Sequence, residues 1–130
     1  MLGNEYQNLA MRTNDDLSNS RVAGRISRFC ESMINLEDVP LNPGELLNGA
    51  LGLTGEAGEV ADMIKKYFFH GHELNTDELI KELGDVMWYV ALLCNALDIS
   101  LDHVMTRNIN KLKARYPEGF SEEASIKRVN

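Results

Sequence analysis

Apolar residues recur at helical spacing along most of the chain, and no useful length alternates as a strand would. A short helix is predicted over Glu5–Arg12. A second covers about Asp16–Ile34, where Val22, Ile26, Phe29 and Met33 share one face. A linker, Asn35–Asn42, follows. The third helix has a clear start: Asn42 can cap, Pro43 suits the first helical position, and Glu45 occupies the capping-box position. It should run to about Phe68, before the Gly71 turn, with Leu46, Leu53, Val60 and Ile64 as its apolar stripe. The fourth starts at the cap Asn75, with Glu78 three residues on, and runs to about Leu97. Its stripe is Leu79, Leu83, Val86, Val90 and Leu93. The fifth spans from near Ser100 to just before Tyr116 and Pro117, and the tail Glu118–Asn130 is only weakly patterned. These elements predict an all-α fold, a helical bundle of about five helices with a four-helix core, in a single domain over residues 1–130. Two of the helices are long for so short a chain, so oligomerisation is expected to complete the bundle.

Composition narrows the class. Hydrophobic residues make up 44% of 130 positions, enough for one small core. The net charge of -7, from 20 acidic and 13 basic residues, argues against a nucleic acid polymer as partner, because backbone binding calls for a basic surface. It leaves small phosphate ligands open, since a bound divalent cation inverts the sign of an acidic site. No apolar run approaches the roughly 20 residues of a membrane span, and the polar opening MLGNEYQNLAMRT is unlike a signal peptide. A cytoplasmic protein with no membrane partner is expected. Cys30 and Cys94 stand alone inside apolar helical patterns, which predicts reduced, buried, inert thiols.

The chemistry concentrates in GLTGEAGEVADMIKK, residues 52–66, and ELIKELGDVMWYV, residues 78–90. Each holds an acid-x-x-acid pair: Glu56 with Glu59, and Glu82 with Asp85. Residues three apart on a helix lie roughly 60° apart on one face. Like charges so placed repel, and an isolated helix gains nothing from them. One such pair usually marks a solvated face. Here both pairs border the apolar stripes, so antiparallel packing would bring four carboxylates together. Converging carboxylates must take up protons or share a cation, and all-oxygen ligation suits Mg²⁺ or Mn²⁺. Gly49, Gly52, Gly55 and Gly58 recur every third residue, and Gly84 separates Glu82 from Asp85. At about 1 kcal/mol each against alanine, the four in one helix cost roughly 4 kcal/mol, which a close helix or ligand approach would offset.

Other residues carry weaker signals. Lys65 and Lys66, two turns past Glu59, can meet phosphate or simply solvate a helix end. Asn108, Lys111 and Arg115 share a face that fits a polyphosphate, although basic faces are more often just solvated. Asn48 can reach a base or sugar, and Tyr89, one turn after Asp85, can stack on a base; packing is the commoner role for both Tyr89 and its neighbour Trp88. His70 and His72 make a poor zinc pair without further ligands. There is no G-x-x-x-x-G-K-[ST] loop and no G-x-S-x-G elbow, so phosphate chemistry would depend on the metal.

At these residues the chain resembles MazG-like proteins of the all-alpha NTP pyrophosphatase superfamily, marked by E-x-x-E, a spacer, then E-x-x-D. The likeness includes EYQNLAMRT, LLNGALGLTGEAGEVADMIKK, the FHGHEL turn, ELGDVMWYVALL and NINKLKARYPEGFSEEASIKR; residues 14–42 are less typical. The resemblance implies Mg²⁺-dependent hydrolysis of a nucleoside triphosphate to a monophosphate and pyrophosphate by a homodimer or homotetramer. It implies Glu56, Glu59, Glu82 and Asp85 as catalytic metal ligands. It places Asn108, Lys111 and Arg115 in the helix that closes on phosphate in relatives; Asn48, Lys66 and Tyr89 are candidate substrate contacts from their positions along the helices alone. Phosphoribosyl-ATP pyrophosphohydrolase is the near alternative, and a noncatalytic helical nucleotide sensor or adaptor is the alternative from another class.

Overall fold

The computed structural model describes residues 3–35 and 42–126. Most of the linker, at 36–41, and the last four positions of the tail lie outside the described residues. The class is the all-α one that the spacing predicts. Five helices of nine residues or more are followed by a short sixth: α1 Gly3–Met11, α2 Ser18–Asn35, α3 Pro43–Phe69, α4 Thr76–Ala96, α5 Leu101–Arg115 and α6 Glu122–Ile126. Among the described residues, no single helix is long and apolar enough to cross a membrane.

The chain divides into two units, Met1–Pro43 and Gly44–Asn130. In the first, α2 begins at Ser18, two residues later than the apolar spacing suggests. The cause is local. The Asp15 carboxylate accepts the Leu17 N–H at 3.1 Å and pairs with the Arg21 guanidinium, which holds its pKa below the usual carboxylate value. Asp16 then sits at φ 56°, a left-handed conformation that a helix cannot include. On α2, Val22, Ile26 and Met33 are exposed and Phe29 is half-buried. Cys30 is also exposed, contrary to the expectation of a buried thiol, because the α2 face that it borders, with Val22, Ile26 and Met33, is itself exposed. Cys94 is buried as expected.

The second unit is organised by α3 and α4. Pro43 opens α3 as predicted. At its other end Gly71 takes φ 70°, and the His72 N–H turns back to the Lys66 carbonyl at 3.3 Å, closing the helix one residue beyond the predicted end. Asn75 caps α4, its side chain accepting the N–H groups of Asp77 and Glu78 at 3.1 and 3.2 Å. Ser100 does the same for α5 through His103 at 3.1 Å. The α4–α5 junction is bent by 103°, so α5 runs across the end of α4 rather than back along it.

Three contacts fix the pairing of α3 with α4. Asn95 donates to the Glu45 carboxylate at 3.2 Å, Leu93 faces Gly49, and Tyr89 faces Gly52. Positions rise along α3 as they fall along α4, so the pair is antiparallel. The α3 stripe, Leu46, Leu53, Val60 and Ile64, is half-buried throughout. So are Leu79, Val86, Val90 and Leu93 of α4, whereas Leu83 is exposed and does not join the core. Buried positions are few among the described residues, confined to Gly49, Cys94 and Ala96. Leu47, Leu51, Ile80, Met87 and Trp88 all remain exposed.

Candidate metal centre

The antiparallel register carries one step beyond Gly52 and Tyr89. One turn further along α3 stands Glu56; one turn back along α4 stands Asp85, with Glu82 a turn behind it. Carboxylate oxygens of Glu56, Glu82 and Asp85 all lie within 4.8 Å of one another. Glu56 and Glu82 are half-buried and Asp85 is exposed, so the group occupies the core edge.

Glu59 stands outside this three-carboxylate group among the described residues and is exposed. Its charge still reaches the group. Partial burial raises the Glu82 pKa first, and the charges of Glu56, Glu59 and Asp85, with a hydrogen bond to Glu56, raise it further. A carboxyl whose pKa is raised by neighbouring carboxylates would gain from a cation beside it. The donor set is oxygen only, which fits a hard divalent cation and not a thiolate or imidazole metal.

The remaining candidates are not members of this three-carboxylate group. Lys66 is paired with Asp62 at 2.6 Å, and Lys65 pairs with the same carboxylate. These two lysines, Lys65 first, pull the Asp62 pKa down to about 2. Asp62 in turn raises the Lys66 pKa, and Glu59 adds a smaller push. The i, i+3 and i, i+4 spacing of Asp62 to Lys65 and Lys66 was enough to reveal this clamp, which the phosphate reading passed over. Asn48 is exposed on α3, two turns before Glu56. Tyr89 is half-buried and meets Trp88 edge to face, ring centroids 4.9 Å apart. Asn108 and Lys111 are exposed and Arg115 is half-buried on α5. Roughly 16 Å of α4 separates Asp85 from the bend at which α5 begins. That bend carries the three away from the carboxylates instead of along them.

The glycines behave unequally. A Cβ at Gly49 would lie 2.7 Å from Leu93 Cγ and Cδ2, and one at Gly52 would collide with the Tyr89 ring. Gly55, Gly58 and Gly84, the three beside the acids, face open space. Close approach therefore holds one to two turns from the carboxylates and not at them.

The model of the MazG nucleotide pyrophosphohydrolase domain matches residues 46–120, from early α3 to beyond α5. The span includes all four acids, while α1 and α2 lie outside it. A similar protein is the Gene 37 protein of Mycobacterium phage L5, 49% identical over 82 residues, which are 60% of this chain and 72% of that protein. No solved structure matches.

Proposed function

From its membership of the MazG nucleotide pyrophosphohydrolase family, to which this chain belongs, we propose that it hydrolyses nucleoside triphosphates to nucleoside monophosphate and pyrophosphate with Mg²⁺ at Glu56, Glu82 and Asp85. The observation that carries the reading is the convergence of three carboxylates from two helices inside the family match. Mn²⁺ would satisfy the same oxygen donors. When bound, the cation neutralises the polyphosphate and acidifies water at the site.

The chain's own residues do the rest. Glu56, Glu82 and Asp85 fix the cation against the substrate phosphates. Glu59, exposed and close enough to act on Glu82, accepts a proton from the attacking water. The water oxygen bonds to the α-phosphorus in line, the α–β bridging bond breaks, and pyrophosphate leaves. Lys66 would meet phosphate by exchanging its Asp62 partner. Asn48 and Tyr89 border the nucleoside end, and Asn108, Lys111 and Arg115 offer a second polyphosphate-binding face on α5.

We read residues 1–130 as one catalytic domain acting in the cytoplasm as a homodimer or homotetramer. The exposed Leu47, Leu51, Ile80, Met87 and Trp88 support assembly, since a helix pair with so much apolar surface gains by covering it. A panel of ribo- and deoxyribonucleoside triphosphates and phosphoribosyl-ATP, with pyrophosphate detection, tests the activity. Glu56→Gln and Asp85→Asn should each lose at least about a thousandfold in kcat while keeping the helical circular dichroism. Near-normal pyrophosphate release by either variant would sink the assignment, and nucleotide binding without turnover would turn it into a sensor.

A further inference from the structure

The basic side chains of the α3–α4 pair are Lys65, Lys66 and Lys81, and all stand at one end of it. From Pro43 to Ile64 on α3, and from Glu82 to Ala96 on α4, neither helix holds a lysine, arginine or histidine. Two of the three lysines also share the face of the acids. Glu59, Asp62 and Lys66 are spaced i, i+3, i+7, and so are Glu78, Lys81 and Asp85. Lys65 stands about 100° round the helix from Lys66 and off that face.

Each of the two is drawn back along its helix by an acid. Lys66 meets the Asp62 carboxylate at 2.6 Å, and Lys81 meets Glu78 at 2.6 Å. Carried on from the contact of Gly52 with Tyr89, the antiparallel register sets Glu59 level with Glu82, and Met63 level with Glu78. Both ammonium groups therefore stand at one level, about one turn or 5 Å beyond the rung of Glu59 and Glu82. The field of that rung reaches them. Asp62 raises the Lys66 pKa and Glu59 adds a smaller push; Glu78 raises the Lys81 pKa and Glu82 adds a smaller one.

The result is a ladder of charge, first carboxylates suited to a cation and then ammonium groups suited to an anion. Beyond Asp85 in the other direction the pair presents Gly52, Tyr89, Gly49 and Leu93, none of them charged. On the reading that the carboxylates hold a triphosphate through Mg²⁺, we infer that Lys66 and Lys81 form the subsite for its pyrophosphate end, so that the phosphates run from the carboxylates toward the C-terminus of α3. In the free protein Asp62 and Glu78 set the ammonium groups in place. Phosphate oxygens take over as partners when the substrate binds, and Asp62 keeps Lys65. The departing pyrophosphate is then paired with positive charge from both helices.

The test uses the full chain with Mg²⁺. Calorimetry measures the binding of pyrophosphate and of a nucleoside monophosphate, beside turnover of the triphosphate. Lys66→Gln and Lys81→Gln should each weaken pyrophosphate binding by about fivefold or more, the scale of one charged hydrogen bond discounted for exposure. Each should leave monophosphate binding unchanged, because that ligand ends at the carboxylates. A lysine that only supported the helix would not separate the two ligands. Lys113→Gln makes the same charge change on α5, where the side chain is exposed, and should alter neither.

A Lys66→Gln or Lys81→Gln variant that binds pyrophosphate as wild type does overturns the inference. So does one that loses monophosphate binding to the same extent, since the lysines would then serve the α-phosphate. A Lys113→Gln variant equally impaired would reduce the effect to net charge and overturn it too. A wild type that cleaves no nucleotide overturns the hydrolase reading and this inference with it, whereas the other outcomes leave that reading standing.

Discussion

The two ends of the α3–α4 pair are built from the same materials and solve opposite problems. Toward the α3 N-terminus, Gly49 and Gly52 let Leu93 and Tyr89 press onto bare backbone, and Asn95 ties to Glu45 at 3.2 Å. Toward its C-terminus, Glu56 faces Glu82 and Asp85, and Gly55, Gly58 and Gly84 have nothing against them. One end is closed by sterics and the other brings like charges together. The difference teaches that the carboxylates are not gathered by local attraction. The tight end fixes the register, and the acids are carried into proximity against their mutual repulsion.

The largest test of this contrast is to add a divalent cation. At a hundredfold excess over its dissociation constant, Mg²⁺ should stabilise the protein by about 2.7 kcal/mol, read as a rise in melting temperature. Glu82→Gln should lose most of that gain. In the metal-free protein the sign reverses. The Glu82 pKa is raised in the folded state, so its contribution to stability is greatest below the ordinary glutamate value and is lost as pH rises through the raised one. Metal-free Glu82→Gln should therefore be more stable than wild type above that range; a lower melting temperature there would show that the acids are not strained together.

The closed end should fail differently. Gly49→Val should cost about 1–3 kcal/mol through overpacking against Leu93, lowering the urea midpoint with an unchanged slope. An unchanged midpoint would mean that α3 and α4 are not clamped there.

Most of the architecture was legible because it rests on local rules. The Asn75 and Ser100 caps, Pro43 at the start of α3 and the half-buried stripes of α3 and α4 follow from side chains within a few residues of where they act. The candidate site was legible in part. Helical spacing puts Glu56 beside Glu59, but α4 meets the face from one side, so Glu56 joins Glu82 and Asp85 while Glu59 stays outside. Spacing within one helix cannot express that choice. Nor can it show that Gly52 and Tyr89 oppose each other, since that depends on the register between helices. At the glycines beside the acids the close helix approach is not met, since Gly55, Gly58 and Gly84 face open space, which leaves the ligand approach that the sequence equally allowed.

The smallest expected effect lies outside the contrast and calibrates it. Asp62 serves Lys65 and Lys66 at the surface, and its pKa is depressed to about 2. Its contribution is present above the ordinary aspartate value and fades as pH falls through about 2. Asp62→Asn should lower the melting temperature only slightly near neutral pH, less than Gly49→Val does, because exposed pairs contribute little. The deficit should vanish in strong acid, and one that persisted there would point to packing instead of charge.

The antiparallel register has a consequence for changes in chain length. One residue inserted between Gly52 and Glu56 would rotate everything beyond it by about 100° and swing Glu56 off the face that Asp85 meets. Residues 70–75, which join the two helices, carry no such constraint on their length, because helix-to-helix contacts already set the alignment. A longer connection there adds only a slowly growing closure entropy. Insertions and deletions should therefore be tolerated around His70–Glu73 and rejected within a few residues of Gly52 or Tyr89.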